Sequence, residues 1–174
     1  MPSALCKFLL VAVALFICYL PSYSQGCVDA DCDPPAIVTA NVIINVPWTA
    51  GGPGCFLQVN ITTRTCPGGR CEVFFNSIQR SACCSEAFVA ASAAAVVQAV
   101  RDWLFANPQL GNPPCAVLRI VHPKCWTKDN VAGTMTPCAD SPCCYIQGPI
   151  GGPPGPVTSL GTGACILPCI PVCP

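Results

Sequence analysis

Apolar and polar residues alternate with a period of two over much of the first half of the chain, which is typical of half-buried β-strands. Between positions 38 and 46 every even position is Val, Ala or Ile, and Pro47 ends the pattern. Residues 57–64 alternate in the same way, and a Pro-Gly-Gly-Arg turn at 67–70 leads into a further predicted strand at 73–79. The pattern therefore predicts one strand followed by a β-hairpin.

A different periodicity follows at residues 85–106, where apolar positions recur at the spacings of one helix face. Ser85 precedes the run as a candidate N-cap, and Glu86 lies in the first turn, where the helix dipole favours an acid. The middle is rich in alanine, which has high helix propensity. Asn107-Pro108 ends the run, because a residue before proline avoids the α region. We expect one uninterrupted helix over 85–106.

Three shorter stretches complete the pattern. Residues 116–121 read as a strand, 134–137 and 144–147 as weaker strands, and Lys128-Asp129-Asn130 as a turn. The order of elements is then three strands, a helix and two or three further strands. This order predicts an α+β fold, in which one long helix packs on an antiparallel sheet of about four to six strands in a small disulfide-rich domain.

The two ends of the chain differ from this central pattern. Lys7, the apolar run at 8–20 and the small residues Ser22 and Ser24 predict a secretory signal peptide over 1–24, cleaved after Ser24. Acylation of Cys18 is the alternative to that cleavage. Residues 25–147 are then the folded domain, and 148–174 form a Gly/Pro-rich linker with an irregular Cys/Pro tail.

Of the chain's 17 cysteines, those after the leader dominate its chemistry. Their short spacings are irregular, two pairs are vicinal, and His122 is the only histidine, so disulfides are favoured over a zinc site. We expect Cys66 and Cys71, which flank the hairpin turn, to form a bridge. The disulfide candidates are Cys27, Cys32, Cys66, Cys71, Cys83, Cys84, Cys115, Cys125, Cys138, Cys143 and Cys144.

The number of cysteines beyond Ser24 is odd, so at least one thiol is unpaired or bridged between chains. The tail carries Cys165, Cys169 and Cys173 beyond the predicted linker, and these three are the expected intermolecular thiols. In the alternative, two of them pair with the domain and the third is exposed. Asn60-Ile61-Thr62 is an N-glycosylation sequon, which matters only in a eukaryotic source.

Charge is scarce and balanced. Charged residues make up 9% of the chain, with eight basic and eight acidic side chains. This balance argues against nucleic acid or an anionic membrane as a partner, and a surface poor in charge resists association weakly. We therefore expect partners to be other copies of the chain or extracellular matrix and cell-surface components. No membrane span is expected after removal of the leader.

Signatures of catalysis are weak. Asp29, Asp31 and Asp33 resemble the start of a calcium loop, but the glycine and glutamate that such a loop needs are missing. A single histidine and oxidised cysteines make a thiol or serine nucleophile improbable. We expect no metal and no cofactor. A carboxylate-dependent hydrolase stays open as a further alternative, on the acidic residues Glu72, Glu86, Asp102, Asp129 and Asp140.

Taken together, these features predict a secreted, non-enzymatic, structural or surface-associated extracellular protein, in the periplasm or at the cell surface if the source is bacterial. It is expected to self-associate or to be crosslinked through its C-terminal cysteines. The main alternative is a secreted binding module, such as an inhibitor or a carbohydrate or small-ligand binder. Such a module would use the sheet face or the loop at 51–54.

Overall fold

The structure is a computed structural model that describes residues 37–108, 115–139, 141–160, 165 and 169–173, with the backbone alone for 37–41. The predictions made for the leader, Cys18, Cys27, Cys32 and the three aspartates at 29–33 lie outside these residues. So does the prediction for Asp140.

The described chain is built mainly from strands, with two α-helices near its middle and with 3₁₀ turns at Thr49–Gly51 and Ala82–Cys84. The helices are α1 (Ser85–Ala90) and α2 (Ala93–Ala106). The strands are β1 Ile37–Pro47, β2 Phe56–Cys66, β3 Arg70–Arg80, β4 Val117–Pro123, β5 Cys125–Asp129, β6 Thr134–Pro137, β7 Cys143–Pro149, β8 Thr158–Leu160 and β9 Ile170–Pro171.

All nine described strands belong to one sheet that forks at β3. On one side β3 pairs with β2, which pairs with β1. On its other side the first half of β3 pairs with β4, and its end pairs with β6. One branch continues through β4 to β7 and β8, and the other through β6 to β5 and β9.

The predicted fold class is wrong in two respects that concern the sheet. The sheet has nine described strands, more than the four to six expected, and it is not antiparallel throughout, because β3 and β4 run parallel. A parallel pair requires a crossover connection, and α1 and α2 supply it between β3 and β4. The strong alternation of the hairpin gave no information on this later pairing, which joins segments more than 40 residues apart.

The prediction of one long helix over 85–106 is also wrong. Ala91 is extended, and Ser92 caps α2 by accepting a hydrogen bond from the Ala95 amide at 3.2 Å. Lys128 Nζ lies at the end of α1 and donates to the carbonyl oxygens of Phe88 and Ala91, at 2.5 and 2.6 Å. A serine N-cap and a lysine at the preceding C-terminus together outweigh the helix propensity of the surrounding alanines.

The main hydrophobic core lies between the helices and one face of the sheet, which we call the helix face. From α2 it receives Val96, Val97, Val100 and Leu104, all fully or almost fully buried. At its centre the ring of Phe75 on β3 stacks on Trp126 of β5, with 5.8 Å between centroids. Since packing against the sheet requires an apolar stripe on the helix, the periodicity of residues 93–104 is explained by this contact.

The hairpin register places Cys66 and Cys71 on opposite faces of the sheet. Cys66 lies opposite Arg70, and Cys71 lies opposite Thr65, so the loop is one residue shorter than expected. Neighbouring residues of a strand point to opposite faces, and this shift by one separates the two sulfur atoms. The predicted bridge between them is therefore wrong, and Cys71 pairs with Cys115 instead.

Neither described helix is long and apolar enough to span a bilayer.

Candidate functional site

A row of charged and polar side chains crosses the face of the sheet that points away from the helices. The register places Arg64 of β2 opposite Glu72 of β3, Glu72 beside Arg119 of β4, and Arg119 opposite Gln147 of β7. We call these four residues the arginine row, and the sheet face that carries them the arginine face. Arg70 lies on the same face, two residues before Glu72.

Glu72 is the centre of this row and is fully buried. Its carboxylate accepts hydrogen bonds from Arg64 Nε and from Arg119 Nη1, the second at 3.3 Å, and it forms an ion pair with Arg70 Nε at 3.3 Å. Arg119 Nε also donates to the amide oxygen of Gln147 at 2.9 Å. One carboxylate thus holds guanidinium groups from three positions on strands β2, β3 and β4.

Aromatic rings lie beside the row on the same face. The guanidinium carbon of Arg64 lies 4.9 Å from the centroid of Phe74, and that of Arg119 lies 4.6 Å from the centroid of Tyr145. Both distances suit cation–π contacts. Burial lowers the pKa of Arg119, and the neighbouring Tyr145 opposes that shift. The arrangement fixes the guanidinium groups in position, which suits a structural or recognition role.

The acidic residues proposed for a hydrolase do not form a described pair. Glu72 is held by the arginines of its own face. Glu86 is exposed on α1, and Asp102 on α2 is half exposed and pairs with its neighbour Arg101 at 3.5 Å. The carboxylate of Asp129 accepts from the amides of the turn after β5, at 2.8 and 2.9 Å. These positions give no geometric support to acid–base chemistry by two carboxylates.

His122 lies on the helix face of β4 and is fully buried. Its ring contacts Phe75 at 5.0 Å between centroids, and its Nδ1 is 3.0 Å from the carbonyl oxygen of Pro123. Trp126 Nε1 donates to the same oxygen at 2.7 Å. Burial, with the positive charge of Arg101 as a smaller contribution, lowers the pKa of His122 to about 4. The histidine is therefore a neutral core residue.

The described disulfides tie the C-terminal segment to three separate places in the fold. Cys165 pairs with Cys125, Cys169 with Cys138, and Cys173 with Cys144. The expectation that this trio supplies intermolecular thiols is therefore wrong. Strand β8 pairs with β7 and β9 pairs with β5, so hydrogen bonds support the same attachment. The division of residues 148–174 into a linker and a tail stays a prediction.

The remaining disulfides hold the helices and the arginine face. Cys84 pairs with Cys55, which was not among the predicted disulfide candidates. This bridge joins the start of α1 to the loop before β2. Gly51 of that loop packs so closely on the bridge that a Cβ there would lie 2.0 Å from Cys55 Sγ. Cys66 and Cys143 are also disulfide-bonded.

Cys83 is the free cysteine of the described chain, and it is exposed. Its Sγ lies 3.0 Å from the carbonyl oxygen of Gly54 and 3.4 Å from Ser81 Oγ. Sequence reasoning placed the odd thiol in the tail because the tail follows a Pro/Gly-rich stretch. The sequence feature that could have indicated a free thiol at Cys83 is its position next to Cys84. Cys84 is the buried member of this pair, and Cys83 is exposed.

The glycosylation sequon lies in β2 between two neighbouring strands. Asn60 pairs with Ile43 on β1 and with Ser77 on β3, and its side-chain oxygen is buried without a described hydrogen bond. Thr62 of the sequon is buried, and its hydroxyl accepts from the Asn76 side chain at 3.4 Å. Glycosylation at Asn60 stays a prediction.

A cleft lies between the end of α2 and the turn after β7, and we call it the α2 cleft. Its volume is about 470 Å³, within the range of small-molecule sites. Most of its lining is apolar, and Asp102 supplies a carboxylate at the rim. The lining residues are Asp102, Phe105, Ala106, Pro108, Ile146, Ile150, Gly151, Gly152 and Pro154.

No protein-family model, curated protein or solved structure matches this chain. Three regions of the described structure can support a function: the arginine face, the edge of the sheet at β1 and the α2 cleft.

Proposed function

We propose that the protein is a secreted, disulfide-stabilised, non-enzymatic structural component that associates with other copies of itself or with an extracellular surface through the β1 edge of its sheet. The exposed apolar character of this edge carries the proposal. The disulfides support an oxidising compartment, because such bonds persist outside the reducing cytosol. The scarcity of charge supports association.

Strand β1 has the features of an association edge. It runs for 11 residues and pairs with β2 alone among the described strands, so its outer backbone groups face away from the sheet. Val42 and Ile43 are 40% and 67% exposed. A long edge strand with exposed apolar side chains is a template for pairing with a second chain. A β-bulge between Thr39 and Val42 limits the regular part of the edge to the residues after it.

Substitution of Ile43 tests this role of the edge. Ile43→Lys places a charge on the exposed edge, and we expect it to shift the mass measured by light scattering from assemblies towards the monomer. Val131→Lys is the matched control, because Val131 is 92% exposed in a turn between β5 and β6. A wild-type protein that stays monomeric over a hundredfold range of concentration and binds no extracellular surface would contradict the proposal. So would equal effects of the two substitutions.

A binding module is the second candidate, and the α2 cleft favours it. An apolar cleft with one carboxylate suits a small apolar ligand that carries a cationic group. Ala106 is an exposed lining residue, so Ala106→Trp would fill the cleft without disturbing the core. Ala132→Trp, in the exposed turn after β5, is its control. Saturable binding of amphipathic cations in an NMR screen, lost in the first variant alone, would establish this function.

A further inference from the structure

A free thiol, a disulfide and a hydroxyl meet where the 3₁₀ turn at Ala82–Cys84 leads into α1. Cys84 forms the disulfide with Cys55, and the neighbouring Cys83 carries the free thiol. The hydroxyl oxygen of Ser81 lies 3.0 Å from Cys84 Sγ and 3.4 Å from Cys83 Sγ. The thiol and the disulfide are therefore in contact with the same hydroxyl. We call Cys55, Ser81, Cys83 and Cys84 the sulfur cluster.

The free thiol also lies next to the segment that carries Cys55. Cys83 Sγ donates to the carbonyl oxygen of Gly54 at 3.0 Å, and that oxygen is three covalent bonds from the Cα of Cys55. The Cα atoms of Cys55 and Cys84 are 5.1 Å apart. Neighbouring Cα atoms of a chain are only about 3.8 Å apart. A change of the partner of Cys55 from Cys84 to Cys83 therefore requires only a local movement of the turn.

The disulfide of the cluster is shielded from thiols in solution. Cys84 is completely buried and Cys55 is 5% exposed, whereas Cys83 is exposed. Exchange requires that the attacking thiolate reaches a sulfur of the disulfide. Among the described residues Cys83 is the thiol that meets this requirement. Its attack is intramolecular, which replaces a bimolecular encounter by a fixed contact.

The hydroxyl of Ser81 is oriented towards the sulfur that would leave. A disulfide sulfur carries no hydrogen, so the hydroxyl is the donor in its contact with Cys84 Sγ. The Phe56 amide donates to the same Ser81 oxygen at 3.2 Å. The carbonyl oxygen of Phe56 lies 3.4 Å from Cys84 Sγ and would accept a hydrogen bond from a Cys84 thiol. The surroundings of Cys84 therefore suit a thiol as well as a disulfide.

We propose that Cys83 and Cys84 exchange as the disulfide partner of Cys55. The Cys83 sulfur attacks Cys55 Sγ as a thiolate. The bond between Cys55 and Cys83 forms while the bond between Cys55 and Cys84 breaks, and the electron pair of the broken bond leaves on Cys84. Ser81 takes the proton of Cys83 and gives its own hydroxyl proton to Cys84. One thiol and one disulfide are present before and after, so no oxidant or reductant is required.

The exchange moves the free thiol between two environments. With Cys84 in the disulfide, the thiol of Cys83 is exposed and reacts with molecules in solution. With Cys83 in the disulfide, the thiol lies at the buried position of Cys84. The cluster therefore controls whether this part of the chain offers a thiol for a covalent bond to another chain. This inference does not depend on association through the β1 edge.

Substitution of Cys84 tests whether Cys83 takes its place. In Cys84→Ser we expect a disulfide between Cys55 and Cys83, and a maleimide should then label neither residue in the native protein. Cys83→Ser is the matched control, and it should keep the disulfide between Cys55 and Cys84. Mapping of peptides without reduction identifies the disulfide in each variant. Free Cys55 and Cys83 in the folded Cys84→Ser protein would overturn the proposal.

A maleimide pulse on the native wild-type protein tests the exchange without a substitution. Molecules with Cys83 free react at once, whereas those with Cys83 in the disulfide react only after exchange. The unlabelled fraction, measured by intact mass, should therefore decay in two phases, and we expect the slow phase to hold about 1–10% of the molecules, as for a typical minor state. After the pulse, denaturation in acid and a second alkylation should locate the remaining thiol at Cys84.

Two results of the pulse experiment would overturn the exchange. The first is a single phase that labels every molecule at Cys83. The second is a remaining thiol at Cys55, because Cys83 and Cys84 would then be joined to each other.

The rate of the slow phase tests the part played by Ser81. Ser81→Ala removes the hydroxyl that transfers the proton, and we expect the slow phase to become at least about tenfold slower. Ser81→Thr keeps a hydroxyl and should restore the rate to within about threefold of the wild type. Equal rates in Ser81→Ala and the wild type would overturn proton transfer by Ser81.

Discussion

Both faces of β3 bury side chains away from water, but they do so through different kinds of contact. On the helix face, Val73 and Phe75 pack among apolar side chains from the helices and from β5. On the arginine face, Glu72 is buried among guanidinium groups, and Phe74 packs against one of them. Residues that alternate along one strand thus enter two environments of opposite polarity.

The difference shows where stability and where specificity arise. Burial of apolar area stabilises the fold whatever the partner is, because the hydrophobic effect has no direction. A buried ion network gains little over an apolar replacement, yet it is costly to leave incomplete. We therefore expect the helix face to provide most of the free energy of folding. The arginine face fixes which strands meet.

The largest effect is expected from truncation at the centre of the helix face. Phe75→Ala removes a ring that contacts both Trp126 and His122, and we expect a loss of about 4 kcal/mol in the free energy of unfolding. Urea titrations at low and high salt measure the loss, which should be the same in both. A strong salt dependence would show that the two faces are not energetically separate.

A slightly smaller effect is expected at the centre of the arginine face. Glu72→Gln leaves three guanidinium groups without their common carboxylate, and we expect a loss of about 3 kcal/mol. Unlike the loss at Phe75, it should decrease as added salt screens the repulsion between the cations. Chemical unfolding at several salt concentrations distinguishes the two. A loss below that of an exposed control such as Glu86→Gln would contradict the importance of this carboxylate.

The helix face is also expected to respond to acid. The pKa of His122 is about 4 in the folded protein against about 6.5 unfolded, so the unfolded state binds more protons between these values. The contribution of His122 to the free energy of unfolding is complete above pH 6.5. It is lost as the pH falls towards 4, by about 3 kcal/mol in total. His122→Phe should remove this dependence and keep the contact with Phe75. Melting curves from pH 4 to 7 provide the test, and an equally steep dependence in the variant would refute the assignment.

A smaller effect is expected at the junction of the two helices. Ser92→Ala removes the side-chain cap of α2, and we expect a loss of about 1 kcal/mol. Ser85→Ala is the matched control, because Ser85 is the first residue of α1 and its N-cap is Cys84, which makes no side-chain cap hydrogen bond. Thermal unfolding compares them. If Ser92→Ala were stabilising, the alanine-rich sequence would prefer the single helix once the cap is gone.

The smallest effect on stability is expected at Cys83, which belongs to neither face. Cys83→Ser should leave the melting temperature within about 1 °C of the wild type, as expected for an exposed side chain. Alkylation of the unreduced protein, followed by mass spectrometry, should label Cys83 in the wild type and no described cysteine in the variant. Labelling of a tail cysteine would contradict the pairing of the C-terminal segment.

The sequence predicted the elements whose pattern is local and missed those that depend on a partner. The strands around 38–46 and 57–64 both occur, because period-two alternation reports a half-buried strand directly. Strand β5 was not predicted, since Cys125–Asp129 is too short and too polar to show a pattern and was interpreted in part as a turn. The break at Ser92 had a local signal, because serine caps helices better than it continues them.

The candidate site was less accessible to sequence reasoning. Arg64 and Glu72 could be placed on the polar side of the hairpin, but their meeting with Arg119 depends on the parallel pairing of β3 and β4. The pairing of Cys71 likewise depends on a single residue of register in the turn. A local pattern does not contain such information, because the same alternation is compatible with either register.

The sequence by itself therefore determined the type of most strands, the apolar stripe of α2 and the abundance of cysteines, because each follows from residues close together in the chain. The tertiary structure alone decided the fork of the sheet at β3, the five described disulfide pairs and the burial of Glu72 among arginines. These features join residues far apart in the sequence. Their physical cause is the contact itself, which forms only once the sheet has assembled.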